Sequence, residues 1–359
     1  MITTIIFIVV LGLLVLVHEF GHFYVAKKAG MKVEEFGFGF PPRIFGVKRG
    51  ETVYSLNWIP FGGFVKIYGE GGEGEDDPKS FASKSAGKRA KVIVAGVLMN
   101  FLLAAVFLGF GNALGLRIGL TGNEDFAAQD IKIQVIQVSE NSPAQAAGLK
   151  TLDEIIRLRK NSEIVEPQDV SQIQEFVQNQ AGEEIILTIL RQGSEIDLKL
   201  VPRKNPPSGQ GAIGVNLAKT GIVSYSWYEA IWRGFRDAGI LALNVTIALF
   251  LFFKNIFLDS KLIGDVSGPI GIAVLTGQAA GLGFNYLLQF VALLSVNLAV
   301  LNIIPFPALD GGRLLFIGIE KLKGSPVSRK IENLVNASGF ALLIALMIWI
   351  TIKDVAKFF

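Results

Sequence analysis

His18 and His22 are the only histidines in a chain of 359 residues, and they stand four apart in His18-Glu19-Phe20-Gly21-His22. On a helix, positions i and i+4 share a face, so both imidazoles reach one metal ion. Glu19 lies one step round, within reach of a water on that metal. Two histidines placed at random in a chain this long would fall four apart roughly once in 180 trials, before any glutamate is required. The plainer account is a pair of satisfied polar residues in a helix. Against it, the motif closes an apolar stretch, where ionisable groups are costly and usually carry function.

Catalytic zinc usually takes three protein ligands and keeps one position open. The chain has no cysteine and no third histidine, so the remaining ligand is expected to be Asp or Glu. Asp310 is the strongest candidate. It is the first charge after the 44 uncharged residues 266–309, in Leu301-Asn302-Ile303-Ile304-Pro305-Phe306-Pro307-Ala308-Leu309-Asp310-Gly311-Gly312-Arg313. The plainer account is a helix-end carboxylate paired with Arg313. Asp237, Asp259, Asp265 and Glu320 are weaker, because charged or polar neighbours already place them near water. The chemistry such a set supports is metal-assisted hydrolysis. Zinc lowers the pKa of its water, Glu19 takes the proton and later delivers it to a leaving amine, and the metal polarises the carbonyl. A helical substrate hides its carbonyls in hydrogen bonds and must be locally unwound. Pro305 and Pro307 keep the neighbouring backbone irregular.

The elements that must position these residues are membrane helices. The chain is 51% hydrophobic and only 18% charged, whereas a soluble protein is near a quarter charged. The net charge of +3 gives no basis for nucleic-acid binding. Residues 1–17, 92–116 and 333–352 carry no charge, and a further span is expected from about Tyr286 to Pro305. That makes four. The N-terminal stretch lacks a basic region and a cleavage site, so it reads as a retained helix rather than a signal peptide. Twelve Lys or Arg between 27 and 91 place that loop in the cytoplasm, and the basic loop 313–332 follows it there. The N-terminus is then outside, and His18, His22 and Asp310 fall at the inner ends of helices one and three. Residues 238–253 are apolar but span only ~24 Å as a helix, so they are read as interfacial, with Trp227, Tyr228 and Trp232 beside them. From Gly119 to about Thr220 the composition becomes that of one small soluble domain, with strand-like runs at 131–135 and 184–190. Residues 69–77 form a Gly/acidic run that reads as a solvated loop.

At this point the chain resembles the site-2 protease family of intramembrane zinc metalloproteases, in its bacterial RseP/RasP-like group. His18-Glu19-Phe20-Gly21-His22 matches the family's zinc motif, and Asn302 to Gly312 matches its Asn-x-x-Pro-x-Pro-x-Leu-Asp-Gly-Gly motif. The resemblance covers nearly the whole chain and implies His18, His22 and Asp310 as ligands of one Zn2+, with Glu19 as the catalytic acid/base. Gly96-Val97-Leu98-Met99-Asn100 looks like the family's Gly-x-x-x-Asn element, which implies Asn100 near the substrate or the developing oxyanion. A small-residue packing face with a buried amide is the plainer account. Gly62-Gly63-Phe64-Val65-Lys66-Ile67-Tyr68-Gly69-Glu70 resembles the membrane-associated β-hairpin region, where an exposed strand at Gly63 and Phe64 can pair with unwound substrate. With Asn302, Pro305 and Pro307, these are the substrate-positioning candidates. Ser267-Gly268-Pro269-Ile270-Gly271 matches a segment the family carries before helix three. Asn141 to Leu149 is similar to a bacterial PDZ signature, with Leu152-Asp153 standing where Gly-Asp is usual. Related proteins of Gram-negative bacteria carry two PDZ domains, and this chain has room for one.

The fold expected is therefore an α-helical polytopic membrane protein with about four transmembrane helices, a membrane-associated β-hairpin region and one inserted α+β PDZ-like domain. Its parts are residues 1–118 (helix one, cytoplasmic hairpin, helix two), 119–220 (PDZ-like), 221–285 (interfacial linker helices) and 286–359 (helices three and four). The function expected is hydrolysis of peptide bonds within transmembrane segments of single-span membrane proteins. The resemblance implies anti-sigma factors or remnant signal peptides as substrates, a bacterial inner-membrane location with N-terminus and PDZ-like domain extracytoplasmic, and a peptide ligand for that domain. An intramembrane metal transporter or channel is the alternative, and it predicts polar residues spread through several spans. Here they cluster at one depth. A membrane-anchored scaffold leaves the histidine pair unexplained.

Overall fold

The computed structural model describes residues 2–120, 128–191, 193–255 and 267–358. Two of the weaker ligand candidates, Asp259 and Asp265, lie outside them. The chain forms two compact units, one of residues 1–111 and 227–359, the other of residues 112–226.

The first unit begins with α1 (Ile2–Lys28), apolar until His18 and ending on Lys27 and Lys28, which suit the negative end of its dipole. Strands β1 (Val33–Arg49) and β2 (Thr52–Ile67) follow as a long antiparallel pair folded back on itself. Residues 35–38 pair on one side with 53–56 and on the other with 63–66, while 43–49 pair with 52–57. Residues 63–67 thus form one edge of a small sheet. Val33 and Ile67 anchor that sheet in a cluster with Ala26, Val92 and Ile93. Helix α2 (Ala86–Leu114) returns along α1.

The second unit is an antiparallel sheet with two short helices. Its elements are β3 (Leu116–Gly119), β4 (Gln129–Val138), α3 (Pro143–Ala146), β5 (Glu154–Lys160), β6 (Glu163–Val165), α4 (Val170–Asn179), β7 (Ile185–Arg191), β8 (Ser194–Leu200) and β9 (Val215–Val223). The strand order is β3-β9-β4-β5-β7-β8, with β6 on β5. Alternate residues Ile185, Leu187 and Ile189 of β7 are fully buried against Ile173, Phe176 and Val177 of α4. The unit is wider at both ends than the 119–220 expected from composition, because β3 pairs with the last residues of β9. Ser142 caps α3, accepting a bond from the Gln145 N–H at 3.1 Å.

Leu152, which stands where glycine is usual, has φ +72°. It holds the left-handed conformation that a side chain disfavours by about 1–2 kcal/mol. The turn is kept by Asp153, which accepts from the Lys150 N–H at 2.7 Å and from both ends of the Arg191 guanidinium at 2.7 and 2.6 Å. Leu152→Asn, a residue more tolerant of this region, is expected to stabilise this unit by about 0.5–1 kcal/mol. Thermal unfolding of the full chain, followed by a probe in residues 112–226, checks it.

The chain re-enters the first unit as α5 (Trp227–Lys254), α6 (Pro269–Leu282), α7 (Phe284–Ile303), α8 (Asp310–Lys323) and α9 (Arg329–Phe358). Two expectations change here. Of the basic loop expected at 313–332, residues 313–323 belong to helix α8, held by an ion pair between Arg89 and Glu320. The short segment 238–253, expected to be interfacial, is the second half of a 28-residue helix, and among the described residues five helices are long and apolar enough, by length and composition, to cross a membrane. Sequence counting stopped at Asp237. In the structure Arg236 bonds Asp237 and Arg233 bonds Glu229 within the helix, so these charges do not end it. Ala230, Gly234 and Ala238 make its buried stripe, and a side chain at Gly234 would strike the backbone of Ala105 and Gly109 on α2.

The Ser267-Gly268-Pro269-Ile270-Gly271 segment also finds a physical account. It starts α6, and the buried carboxylate of Asp354 on α9 accepts the Gly271 N–H at 2.7 Å, satisfying a donor that the helix start leaves open. Gly268 and Gly271 leave the room for that carboxylate. Contacts along the unit fix helix directions. Val10 and Leu14 of α1 pack with Leu287, Val291 and Leu294 of α7, and His18 meets Asn302, so α1 and α7 run parallel. Gly339 of α9 abuts Pro307 while Asp354 reaches Gly271, so α9 runs opposite to α7.

Candidate metal centre and active site

Three elements deliver the candidate residues to one point. His18 and His22 project from the same face of α1, and Asp310 opens α8, where a carboxylate suits the positive helix end. Asp310 arrives because Pro305 and Pro307 stop α7 at Ile303, and Ile304 takes the extended conformation that precedes proline. Gly311 and Gly312 then let α8 start directly against the carbonyls of Ile303, Ile304 and Phe306, where a Cβ would collide. Ala308, within this linker, has φ +72°. Its N–H bonds the Asn336 side chain of α9 at 3.2 Å.

His18 Nε2 lies 3.1 Å from Asp310 Oδ2, His22 Nε2 lies 3.3 Å from the same oxygen, and the two imidazole nitrogens are 3.1 Å apart. Ligands at ~2.0–2.2 Å from a tetrahedral zinc stand roughly 3.3–3.5 Å from one another. The triangle therefore fits one face of such a site. Asp310 Oδ2 is buried yet has no hydrogen-bond partner. A cation between these three atoms satisfies the oxygen, where a proton would satisfy only one contact. Among the described residues, this is the one group of three His, Cys, Asp or Glu side chains close enough to share an ion. Arg313 does not pair with Asp310. It bonds Glu70 instead.

Glu19 Oε2 accepts the Val65 N–H at 3.0 Å, which leaves its other oxygen free. Val65 belongs to the sheet edge 63–67, so Gly63 and Phe64 lie on the strand that reaches the carboxylate. Asn302 stands on the ligand side of His18, its amide nitrogen 3.4 Å from Nε2. Asn100 stands on the other side of the ring, fully buried and 3.3 Å from Nδ1. Pro305 and Pro307 lie within the linker between α7 and α8.

Sequence reasoning missed two participants and left a third, Gly96, without a role. His22 Nδ1 lies 2.8 Å from the Val92 carbonyl, so the partner that orients this ring is backbone and carries no residue-type signal. The same holds for the Val65 N–H. Gly96 is the third: a Cβ there would meet His22 Nε2 and stand 2.8 Å from His18 Cε1. Gly96 and Asn100 share a face of α2, so the Gly-x-x-x-Asn spacing is the footprint of the imidazoles. Gly21 works similarly, because a Cβ there would strike Ala95 and Met99 of α2.

Buried histidines and a carboxylate sharing a metal-sized gap among apolar helices define a membrane metallohydrolase. The chain belongs to peptidase family M50, the site-2 proteases, whose description matches residues 6–346, and it is a metalloprotease. It is 38% identical over 345 residues to a Clostridium perfringens protein carrying a zinc-metalloprotease name, covering 95% of each chain. It is 30% identical to the zinc metalloprotease RasP of Oceanobacillus iheyensis across the full length of both. A Fusobacterium nucleatum protein with a zinc-metalloprotease name is 33% identical, with 99% of each chain covered.

Proposed function

We propose that the chain cleaves transmembrane segments of single-span membrane proteins, with His18, His22 and Asp310 holding one zinc ion and Glu19 as general acid/base. The observation that carries this is the ligand triangle of 3.1–3.3 Å around an unpartnered carboxylate oxygen, with Glu19 next to it. When bound, zinc supplies a Lewis acid that activates water and polarises a carbonyl. The protein's own groups do the rest. The free oxygen of Glu19 takes a proton from the attacking water and returns it to the leaving amine. The Val65 N–H holds the other oxygen, which fixes the carboxylate's direction. The strand edge at Gly63 and Phe64 offers backbone partners to an unwound substrate, so hydrogen bonds the substrate helix gives up are replaced. Asn302, on the ligand side of His18, is placed to donate to the oxygen that gains charge.

The substrates fitting this arrangement are anti-sigma factors or remnant signal peptides, left after an outer domain is removed. The second unit is read as a PDZ-like filter that excludes bulky, uncut proteins. Residues 215–219 of β9 pair with β4 on one side, and α4 contacts β9. On the other side, β3 pairs with 220–223 and the Leu120 N–H bonds the Lys219 carbonyl, while among the described residues no strand is paired there with 215–218. An uncovered strand edge beside a helix suits a peptide added as a further strand. The central test is cleavage of a membrane-embedded single-span protein by the purified chain in lipid vesicles. Chelation is expected to stop cleavage and stoichiometric zinc to restore it. Cleavage that persists in fully metal-free protein refutes the reading.

For topology we propose four crossings in a bacterial inner membrane, with the N-terminus and the second unit extracytoplasmic. Parallel α1 and α7 with an opposed α9 suit this count. Helix α6 starts beside Asp354 and packs against Thr3, at the N-terminal end of α1. Were α5 a full crossing, only residues 255–267 would remain to bring the chain back to that end, too few for another membrane helix. An impermeant thiol reagent is expected to label Asn161→Cys and Lys254→Cys from outside the cell and Gly74→Cys only after permeabilisation. Labelling of Lys254→Cys from the cytoplasm alone would make α5 a crossing.

A further inference from the structure

Both histidines of the candidate centre face inward through Nε2, and their distal nitrogens point at different partners. His22 Nδ1 meets the Val92 carbonyl at 2.8 Å. His18 Nδ1 meets the side-chain amide of Asn100 at 3.3 Å. A neutral imidazole that gives its Nε2 lone pair to a metal carries its proton on Nδ1, and that proton needs an acceptor. For His22 the carbonyl is the acceptor. For His18 the structure offers Asn100, fully buried, whose Nδ2 is the atom 3.3 Å from Nδ1 and whose Oδ1 has no hydrogen-bond partner.

We infer that Asn100 is a positioning residue for His18, its amide oxygen accepting the Nδ1 proton so that Nε2 is held toward the metal. The amide serves as donor or acceptor in the same volume by a half-turn of its terminal bond. With the ion absent, its N–H donates to Nδ1; with the ion present, its oxygen accepts. Its place is fixed from two sides. Ser295 of α7 donates its hydroxyl to the Asn100 backbone carbonyl at 2.7 Å. One turn earlier, Gly96 leaves the space that both imidazoles fill. Asn302 holds the opposite edge of the ring, on the ligand side, which divides the two asparagines between ligand support and substrate.

This assignment rests on His18 being a metal ligand. The test measures zinc affinity of the full chain in detergent by competition with a chromogenic chelator, for wild type, Asn100→Leu and Asn100→Asp. Leucine keeps the volume and removes the acceptor, and is expected to weaken zinc binding about 10–100-fold. Aspartate keeps an acceptor oxygen, and its affinity is expected to match or exceed wild type. Wild-type affinity in Asn100→Leu overturns the assignment. So does a tenfold loss in Asn100→Asp, which also decides the matter if the leucine variant does not fold. A wild-type chain that binds no zinc overturns the metal-centre reading itself, which separates the two failures.

Discussion

Glu19→Gln is expected to keep its zinc and lose cleavage by about 10²–10⁴-fold, the span that a positioned general base contributes. The substitution is close to isosteric. Its amide oxygen still accepts the Val65 N–H, which Glu19 accepts at 3.0 Å, so the sheet edge stays seated against α1. What it removes is the ability to take a proton at neutral pH. Glu19 is not one of the three atoms of the ligand triangle, so metal content should stay at one ion per chain. The two readouts must therefore separate. Full cleavage by Glu19→Gln would remove this residue from the reaction, and loss of metal with activity would make it structural.

Asp310→Asn is expected to fail at the earlier step. Oδ2 of Asp310 is the vertex common to both histidine contacts, at 3.1 and 3.3 Å, and it supplies the only negative charge in the triangle. A neutral amide in the same volume is a poor zinc ligand and cannot balance the ion's charge. Losing an outer partner of a zinc ligand costs about 10–100-fold in affinity, and losing the ligand itself should exceed that. Zinc added to wild type should raise its unfolding temperature, because an ion that binds only the folded chain stabilises it by mass action. In Asp310→Asn that shift should vanish across the same zinc range. An unchanged shift would place the ion elsewhere.

These outcomes depend on features of unequal visibility. The histidine spacing, the missing cysteines and the uncharged stretch before Asp310 are all local facts of composition and order. A helix of 3.6 residues per turn converts the first of them directly into geometry. The apolar runs likewise located α1, α2, α7 and α9, since lipid leaves the backbone no alternative but helix, although α1 continues to Lys28, past the end of its uncharged run at Val17. The length of helix α5 was underestimated for a related reason. Charge counting treats Arg233, Arg236 and Asp237 as a boundary, whereas within the helix they have carboxylate or guanidinium partners. Helix α8 was missed because its basic residues were read as marking a loop, although an apolar periodicity runs through Leu314, Leu315, Ile317 and Ile319.

By itself, then, the sequence singled out three residues that could share a metal, the apolar helix that carries two of them, and Glu19 as the carboxylate proposed to take the proton. Only the tertiary structure decided how those atoms are aimed. The Val92 carbonyl, the Val65 N–H and the collision space at Gly96 come from residues 70, 46 and about 75 positions away from their partners on α1. Backbone groups are the same at every residue, and a glycine shows its purpose only when the neighbour it admits is in place. No pattern in the chain announces the two backbone groups, and the Gly-x-x-x-Asn spacing gives Gly96 no role until the imidazoles are in place, because these meanings are distances between segments that folding alone brings together.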